Sequence, residues 1–464
     1  MIQFFKINDP LRIAYFFLIG LIIRTIAIVW VIPMLTPEFQ WILLGEKLSE
    51  GFILYNDLED HIPVLSGFFY WLMSELFGRS HVAHLVLSSI LVFFQAVIFN
   101  LAINKSDLFN EKTYVPGLLY VIVTSMFADF YIISPAMLGV TFMIYAFDRL
   151  FQILKHGNND ETAFRLGANL GLSFLFYKPM LMLCGLIIFD LLLYSNTRVR
   201  RYFISIFGFV FPVMLVATFF YWNGSLGTFT KFFFLKSFSI KTLYYLSISD
   251  VISIYFVPFA LAILGVFVLF KSSRYINIQS KSHYCFFHWL VIGCVGVVFA
   301  TEFSAFSLLV VIPPMVFFIT AFFTDSKRKW LAEVYFLLFL SFVLVFSYTF
   351  KSTIWRDLHV MNPQPLILRP NNILTDKKVL VLSEDIFLYQ ENEIASNFLN
   401  WRISSKYFQN LDDYDNISLI YSGLNKDLPE IIVDPKDYCD KVFDFLPTIG
   451  DHYSKVDSLY YRKY

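Results

Sequence analysis

Long apolar runs separated by short polar clusters dominate the first 350 residues. A bilayer core about 30 Å thick asks for about 20 apolar residues per helix. The runs predict spans over 13–35, 82–103, 114–128, 133–153, 166–178, 181–195, 203–222, 250–270, 284–300, 305–323 and 330–350. That is roughly eleven crossings by length alone. The run 166–178 is short, but Lys178-Pro179 marks a turn before the next one. The first run is too long for a signal peptide and lacks a small-residue cleavage site, so it reads as a retained helix.

From Lys351 the pattern changes. Residues 351–464 hold 17 acidic and 13 basic side chains, net −4, which leaves +4 for 1–350. Three short runs look β-like: Val379–Leu382, Ile417–Ile420 and Ile431–Val433. With helix-permitting segments between them, they predict a small soluble α/β domain. It contains no GxGxxG, P-loop or HExxH motif. A lid or partner-docking role suits it better than a second active site. The expected architecture is thus a polytopic α-helical membrane protein over 1–350, followed by a C-terminal α/β domain over 351–464.

Composition removes the alternatives. The 464 residues are 57% hydrophobic, 20% aromatic and 16% charged, with 56 Phe and 27 Tyr. Soluble domains run at roughly 45–50% apolar and about 25% charged, so lipid is the solvent for most of the chain. Net charge is zero, so nothing suggests a nucleic-acid partner. Four Cys (Cys184, Cys285, Cys294, Cys439) show no CxxC spacing, hence neither a disulfide framework nor a zinc site is expected.

Charge matters by place. Alternate loops carry Lys6 and Arg12; Lys105 and Lys112; Arg149, Lys155 and Arg165; Arg198, Arg200 and Arg201; Lys271, Arg274 and Lys281; and Lys327, Arg328 and Lys329. Lys and Arg are retained on the cytoplasmic side. The aromatic-rich loops 36–81 and 223–249, and the tail, then belong to the exoplasmic side. Heavy use of Phe, Tyr and Asn points to an AT-rich bacterial genome, which would make the membrane the inner one and the far side periplasm.

The 36–81 loop carries the candidate chemistry. Trp41, Leu44 and Leu48 at helical spacing predict a helix lying along the interface. Val64 to Phe77 is apolar but only about 14 residues long, too short to cross comfortably. Between them lie Asp57, Glu59, Asp60 and His61, closed by Pro63, and Glu38 stands where the first span ends. Asp57, Asp60 and His61, with Glu59, are candidate ligands for a divalent metal ion; a hydrogen-bonded loop without metal is the other reading. Glu38 reads either as a solvated end-of-helix residue or as a functional acid. Arg24 sits mid-span, where an interior ion pair is expected. Lys178, Lys231, Lys236 and Lys241 are exoplasmic cations; each suits a lipid phosphate or a snorkelling anchor.

The order Arg24, Pro37-Glu38, Glu50-Gly51, Leu54-Tyr55-Asn56-Asp57, Ile62-Pro63-Val64 and Leu76-Phe77-Gly78 resembles the GT-C superfamily of membrane glycosyltransferases, in its protein O-mannosyltransferase and lipid A aminoarabinose transferase branch. The resemblance is good over 10–180. It implies a bundle of about a dozen helices and transfer of a sugar from a polyprenyl-phosphate carrier to a lipid, glycan or protein acceptor on the exoplasmic side, with inversion. It places the acceptor-activating acid on Glu38 and a phosphate-binding lysine on Lys178; Lys231 and Lys236, on the basic and aromatic run Lys231-Phe-Phe-Phe-Leu-Lys236, are further donor-phosphate candidates by their own pattern.

The chain also departs from the family. Where a second acid normally precedes a proline, it has Ser134-Pro135, and Asp129 is the nearest substitute. His84 replaces an arginine, and a Pro-Pro pair is reduced to Ile62-Pro63. A catalytically inactive scaffold or assembly partner is therefore the second reading. A transporter or polysaccharide polymerase ranks below both, because no inverted repeat is evident.

Overall fold

The computed structural model describes residues 1–156, 159–195, 198–235, 242–271, 275–325, 328–352, 354–358, 360–370 and 374–463. The chain divides into two compact units. The first comprises Met1–Pro33, Ser80–Phe219 and Ile240–Leu366; the second comprises Met34–Arg79, Phe220–Ser239 and Ile367–Tyr464.

The first unit is a helical bundle. Among the described residues, eight helices are long and apolar enough to cross a membrane: Leu11–Trp30, His81–Lys105, Pro135–Lys155, Val199–Trp222, Ile248–Lys271, Asn277–Phe299, Ala305–Thr324 and Lys329–Tyr348. The other three expected crossings are helical but shorter, at Val115–Val123, Asp160–Phe176 and Met180–Tyr194. All nine residues of Val115–Val123 are buried. Its apolar character fits a central core helix, and the hydropathy of a core helix cannot be told from that of a lipid-facing one. Val199–Trp222 is the opposite case: only 22% of its apolar window is buried, so its apolar surface needs lipid around it. Gly167 and Gly208 let it approach Asp160–Phe176. A Cβ on Gly167 would fall 1.9 Å from the Ser205 carbonyl oxygen, and one on Gly208 2.4 Å from that of Phe164.

Arg24 corrects an expectation. It is 1% exposed, yet among the described residues no carboxylate pairs with it. Its guanidinium donates to the Ser89 and Ser88 hydroxyls at 2.8 and 2.9 Å and to the Thr124 and Phe130 carbonyls at 2.9 and 3.2 Å. Its cationic carbon also lies 4.3 Å from the centre of the Tyr131 ring. Thr124 closes Val115–Val123, so the arginine satisfies carbonyls left over at a helix end.

The second unit joins the 36–81 loop to the tail. Helices Thr36–Ser49 and Val64–Phe77 pack closely, with Trp41 stacked on Tyr70 at 5.6 Å. The predicted helix is present as Thr36–Ser49, with ten of its fourteen residues buried. Tyr55, at φ +66°, is ringed by Phe220, Phe229, Phe232 and Phe233.

The tail is α/β, around a five-stranded sheet in the order Glu393–Ile394, Lys378–Val381, Ile431–Val433, Leu459–Arg462, Tyr453–Val456. The first three strands are parallel and the last two form an antiparallel hairpin. The predicted strand at 417–420 is instead part of helix Tyr414–Lys426. Asp413 caps it by accepting from the Asp415 amide at 3.0 Å. Ile417, Ile420 and Leu424 then meet the tail core at helical spacing.

Candidate functional site

In the second unit the acidic stretch is a tightly bonded loop. Asp60 Oδ1 accepts from the His61 and Ile62 amides at 2.6 and 3.0 Å. The Asn400 amide donates to Asp60 Oδ2 at 3.3 Å and lies 3.2 Å from His61 Nδ1; all three residues are buried. Asp57 Oδ2 accepts from the Ile53 amide at 2.8 Å, and the Asp57 carbonyl accepts from Asn397 at 2.8 Å. The Tyr407 hydroxyl donates to Glu59. Tyr55 donates to the Ile62 carbonyl at 2.5 Å, and burial, followed by the nearby Asp60 charge, pushes its phenol well above the usual range.

The expected metal ligands therefore spend their oxygens on amides and on Asn400. Among the described residues no group of three or more His, Cys, Asp or Glu side chains could hold a metal ion. The set Asp57, Asp60 and His61 is not brought together as a metal centre.

Glu38 is fully buried, in the first turn of Thr36–Ser49, with its carboxylate turned back 3.5 Å from the Leu35 amide. It is not the solvated end-of-helix residue of one sequence reading. Lys231 is exposed, in the turn Thr230–Leu235, followed by buried Phe232 and Phe233 and exposed Leu235. Lys236 and Lys241 lie outside the described residues.

In the first unit Asp129 is buried between the Val115–Val123 and Pro135–His156 helices. Its Oδ2 accepts from the Ser304 hydroxyl at 2.5 Å and the Phe306 amide at 2.8 Å. Its Oδ1 has no hydrogen-bond partner among the described residues. Burial pushes its carboxyl up to about 7, against the pull of Ser304 and of backbone amides. Ser134, where the family carries an acid, has a structural use: its hydroxyl accepts from the Met137 amide at 3.2 Å and so caps the helix that follows. Lys178 is half-buried at the turn before Met180–Tyr194. His84 is buried within His81–Lys105.

A groove of about 590 Å³ is lined in part by Phe303 and Leu308, which flank the Ser304 and Phe306 that donate to Asp129. Tyr255, in the groove wall, donates to the Ala305 carbonyl at 3.0 Å. The wall is otherwise almost wholly apolar, built on the half of Ile248–Lys271 remote from Lys271. Ser304, Asn400 and Tyr407 could not have been singled out beforehand, because no local pattern marks them and their partners lie 175, 340 and 348 residues away.

A family model, DUF6427, described as a family of unknown function, matches residues 60–355. The chain belongs to that family. No curated protein sequence matches this DUF6427 member significantly. Several solved structures are similar to it, among them two with TM-scores above 0.5. Against ArnT from Cupriavidus metallidurans bound to undecaprenyl phosphate, the TM-score is 0.51 at 14% identity, over 71% of this chain and 63% of that one. Against the Archaeoglobus fulgidus oligosaccharyltransferase in its apo form, the TM-score is 0.53 at 9% identity, over 91% and 69%. The DUF6427 chain thus spans less than two thirds of the ArnT chain. Both neighbours are GT-C glycosyltransferases, and at these identities they establish the fold: this chain is a GT-C-like, multi-pass membrane protein.

Proposed function

We propose that this protein moves a sugar from a polyprenyl-phosphate carrier to a lipid, glycan or protein acceptor, on the membrane face opposite the lysine-rich loops. In this reading that face is the periplasmic side of a bacterial inner membrane. Glu38 takes the proton of the acceptor hydroxyl as its oxygen attacks the anomeric carbon. The bond from that carbon to the carrier phosphate breaks from the other side, and the phosphate leaves with the electron pair. A lone hydroxyl is a poor nucleophile, so a carboxylate base is needed, whereas a phosphate leaving group needs only cations; Lys178 and Lys231 are the proposed ones. Asp129 helps to arrange the donor.

The observation that supports this best is the apolar groove whose wall includes Phe303 and Leu308, on either side of the Ser304 and Phe306 that donate to Asp129. An isoprenoid chain needs such a slot, and a buried acid poised near neutrality, bonded to residues next to the groove wall, suits proton handling. The experiment is transfer from a lipid-linked sugar by the purified protein, native against Glu38→Gln and Asp129→Asn. Turnover lost in Glu38→Gln supports the base; unchanged turnover removes it.

A second reading, a scaffold without catalysis, is favoured by one specific feature. Glu38 is wholly buried and faces the start of its own helix. No transfer by the native protein with any polyprenyl-linked sugar would favour it.

A further inference from the structure

A second groove, of about 520 Å³, lies at the lysine-rich end of the first unit, where Asn8, Ile98, Leu101, Lys105, Lys112 and Asp148 contribute to its lining. Lys105 and Lys112 are exposed, whereas Asp148 is only 6% exposed. Asp148 Oδ2 accepts from Gln152 at 2.7 Å and lies 2.9 Å from Arg149 Nη2. Its Oδ1 has no hydrogen-bond partner among the described residues. A buried carboxylate oxygen left bare is costly and calls for a donor. Above the groove, Phe94, Ile98 and Leu101 stand at i, i+4 and i+7 on His81–Lys105, so they share one face. Phe94 and Leu101 are 48% and 47% exposed, and the stripe they form leads from the groove along the apolar helix.

We propose that this groove binds a membrane phospholipid whose phosphate is joined to a primary ammonium, as in phosphatidylethanolamine. The two lysines face the phosphate, the ammonium donates to Asp148 Oδ1, and an acyl chain lies along Phe94, Ile98 and Leu101. A quaternary choline has no N–H to give that oxygen, and an anionic glycerol headgroup brings no cation to it. The site is independent of the transfer reaction proposed above.

Native mass spectrometry of the full chain in detergent tests this, with equal amounts of phosphatidylethanolamine, phosphatidylcholine and phosphatidylglycerol carrying identical chains. The expected result is several-fold preferential retention of phosphatidylethanolamine. Asp148→Asn should reduce it to the phosphatidylcholine level, and Leu101→Trp, which leaves the polar network intact, should reduce all three lipids. Free phosphoethanolamine, lacking an acyl chain, should not compete; displacement by it would reassign the groove to a soluble zwitterion and overturn the lipid. Equal retention of the ethanolamine and choline lipids, or a preference that survives Asp148→Asn, overturns the site. Should Asp148→Asn fail to fold, the comparison of ethanolamine with choline lipid in the native protein and in Leu101→Trp decides.

Discussion

Lys47 has its ammonium 3.4 Å from Asp427, a residue 380 positions later in the chain. The lysine side chain is wholly buried and also meets Glu50 at 2.6 Å. Asp427 in turn binds Lys378 and accepts from the Ser396 amide at 3.1 Å. Burial alone would raise the Asp427 carboxyl, but Lys378 and Lys47 hold it below the usual carboxylate range. This network welds the Thr36–Ser49 helix to the tail's sheet.

Asp427→Ala strips a buried ammonium of one partner and should destabilise the second unit by about 3 kcal/mol. Limited proteolysis should then cut both the 36–79 segment and the tail faster. Faster cutting of the tail alone would mean that the two segments fold independently. Because the folded carboxyl is depressed, its contribution is present above the unfolded value of 3.8 and disappears as pH falls through the folded one.

Arg24→Met should lower thermal stability by about 3 kcal/mol, since it leaves the Thr124 and Phe130 carbonyls without their buried donor. Arg24→Lys should recover only part of that loss, because an ammonium cannot reach two hydroxyls and two carbonyls with one planar fork. Size-exclusion melting curves of the three proteins measure the difference; full rescue by lysine would contradict the planar-fork account.

Stability should depend on Asp129 in a set direction. The folded carboxyl keeps its proton up to about 7, while the unfolded chain releases it near 3.8. The folded state therefore binds more protons in that window, and stability falls as pH climbs through it. The native Tm should drop over this range relative to Asp129→Asn, whose amide oxygen can still accept from Ser304 and Phe306. Parallel profiles for the two proteins would count against the raised carboxyl.

Asn400→Ala should loosen the 57–62 loop, because it removes the donor shared by Asp60 and His61. Hydrogen exchange should quicken at the His61 and Ile62 amides, which Asp60 holds, while the tail sheet keeps its protection. Unaltered exchange at those two amides would show that Asp60 needs no support from the tail.

Local order along the chain was enough to find the long apolar helices. Val64–Phe77 has the bounds its apolar run predicted, and Lys378–Val381 and Ile431–Val433 lie on the runs that announced them. Ile417–Ile420 misled because alternation over four residues also fits one helical face. The cap at Asp413 and the core contact of Leu424 settle it as helix. The hairpin Tyr453–Val456 and Leu459–Arg462 escaped notice because Tyr453 and Tyr460 alone are buried among exposed neighbours.

Hydrophobic period, charge asymmetry and the break at Lys351 by themselves determined that this is a many-helix membrane protein with an α/β tail, because each depends on residues near one another in the chain. Only the tertiary structure decided which side chain meets which. Arg24 meets carbonyls rather than an acid; Asp60 and His61 meet Asn400 rather than a metal; Asp129 meets Ser304. Spacing along a chain carries no information about a partner 100 or 340 residues away. A buried polar group takes whichever donor or acceptor the packing brings within reach.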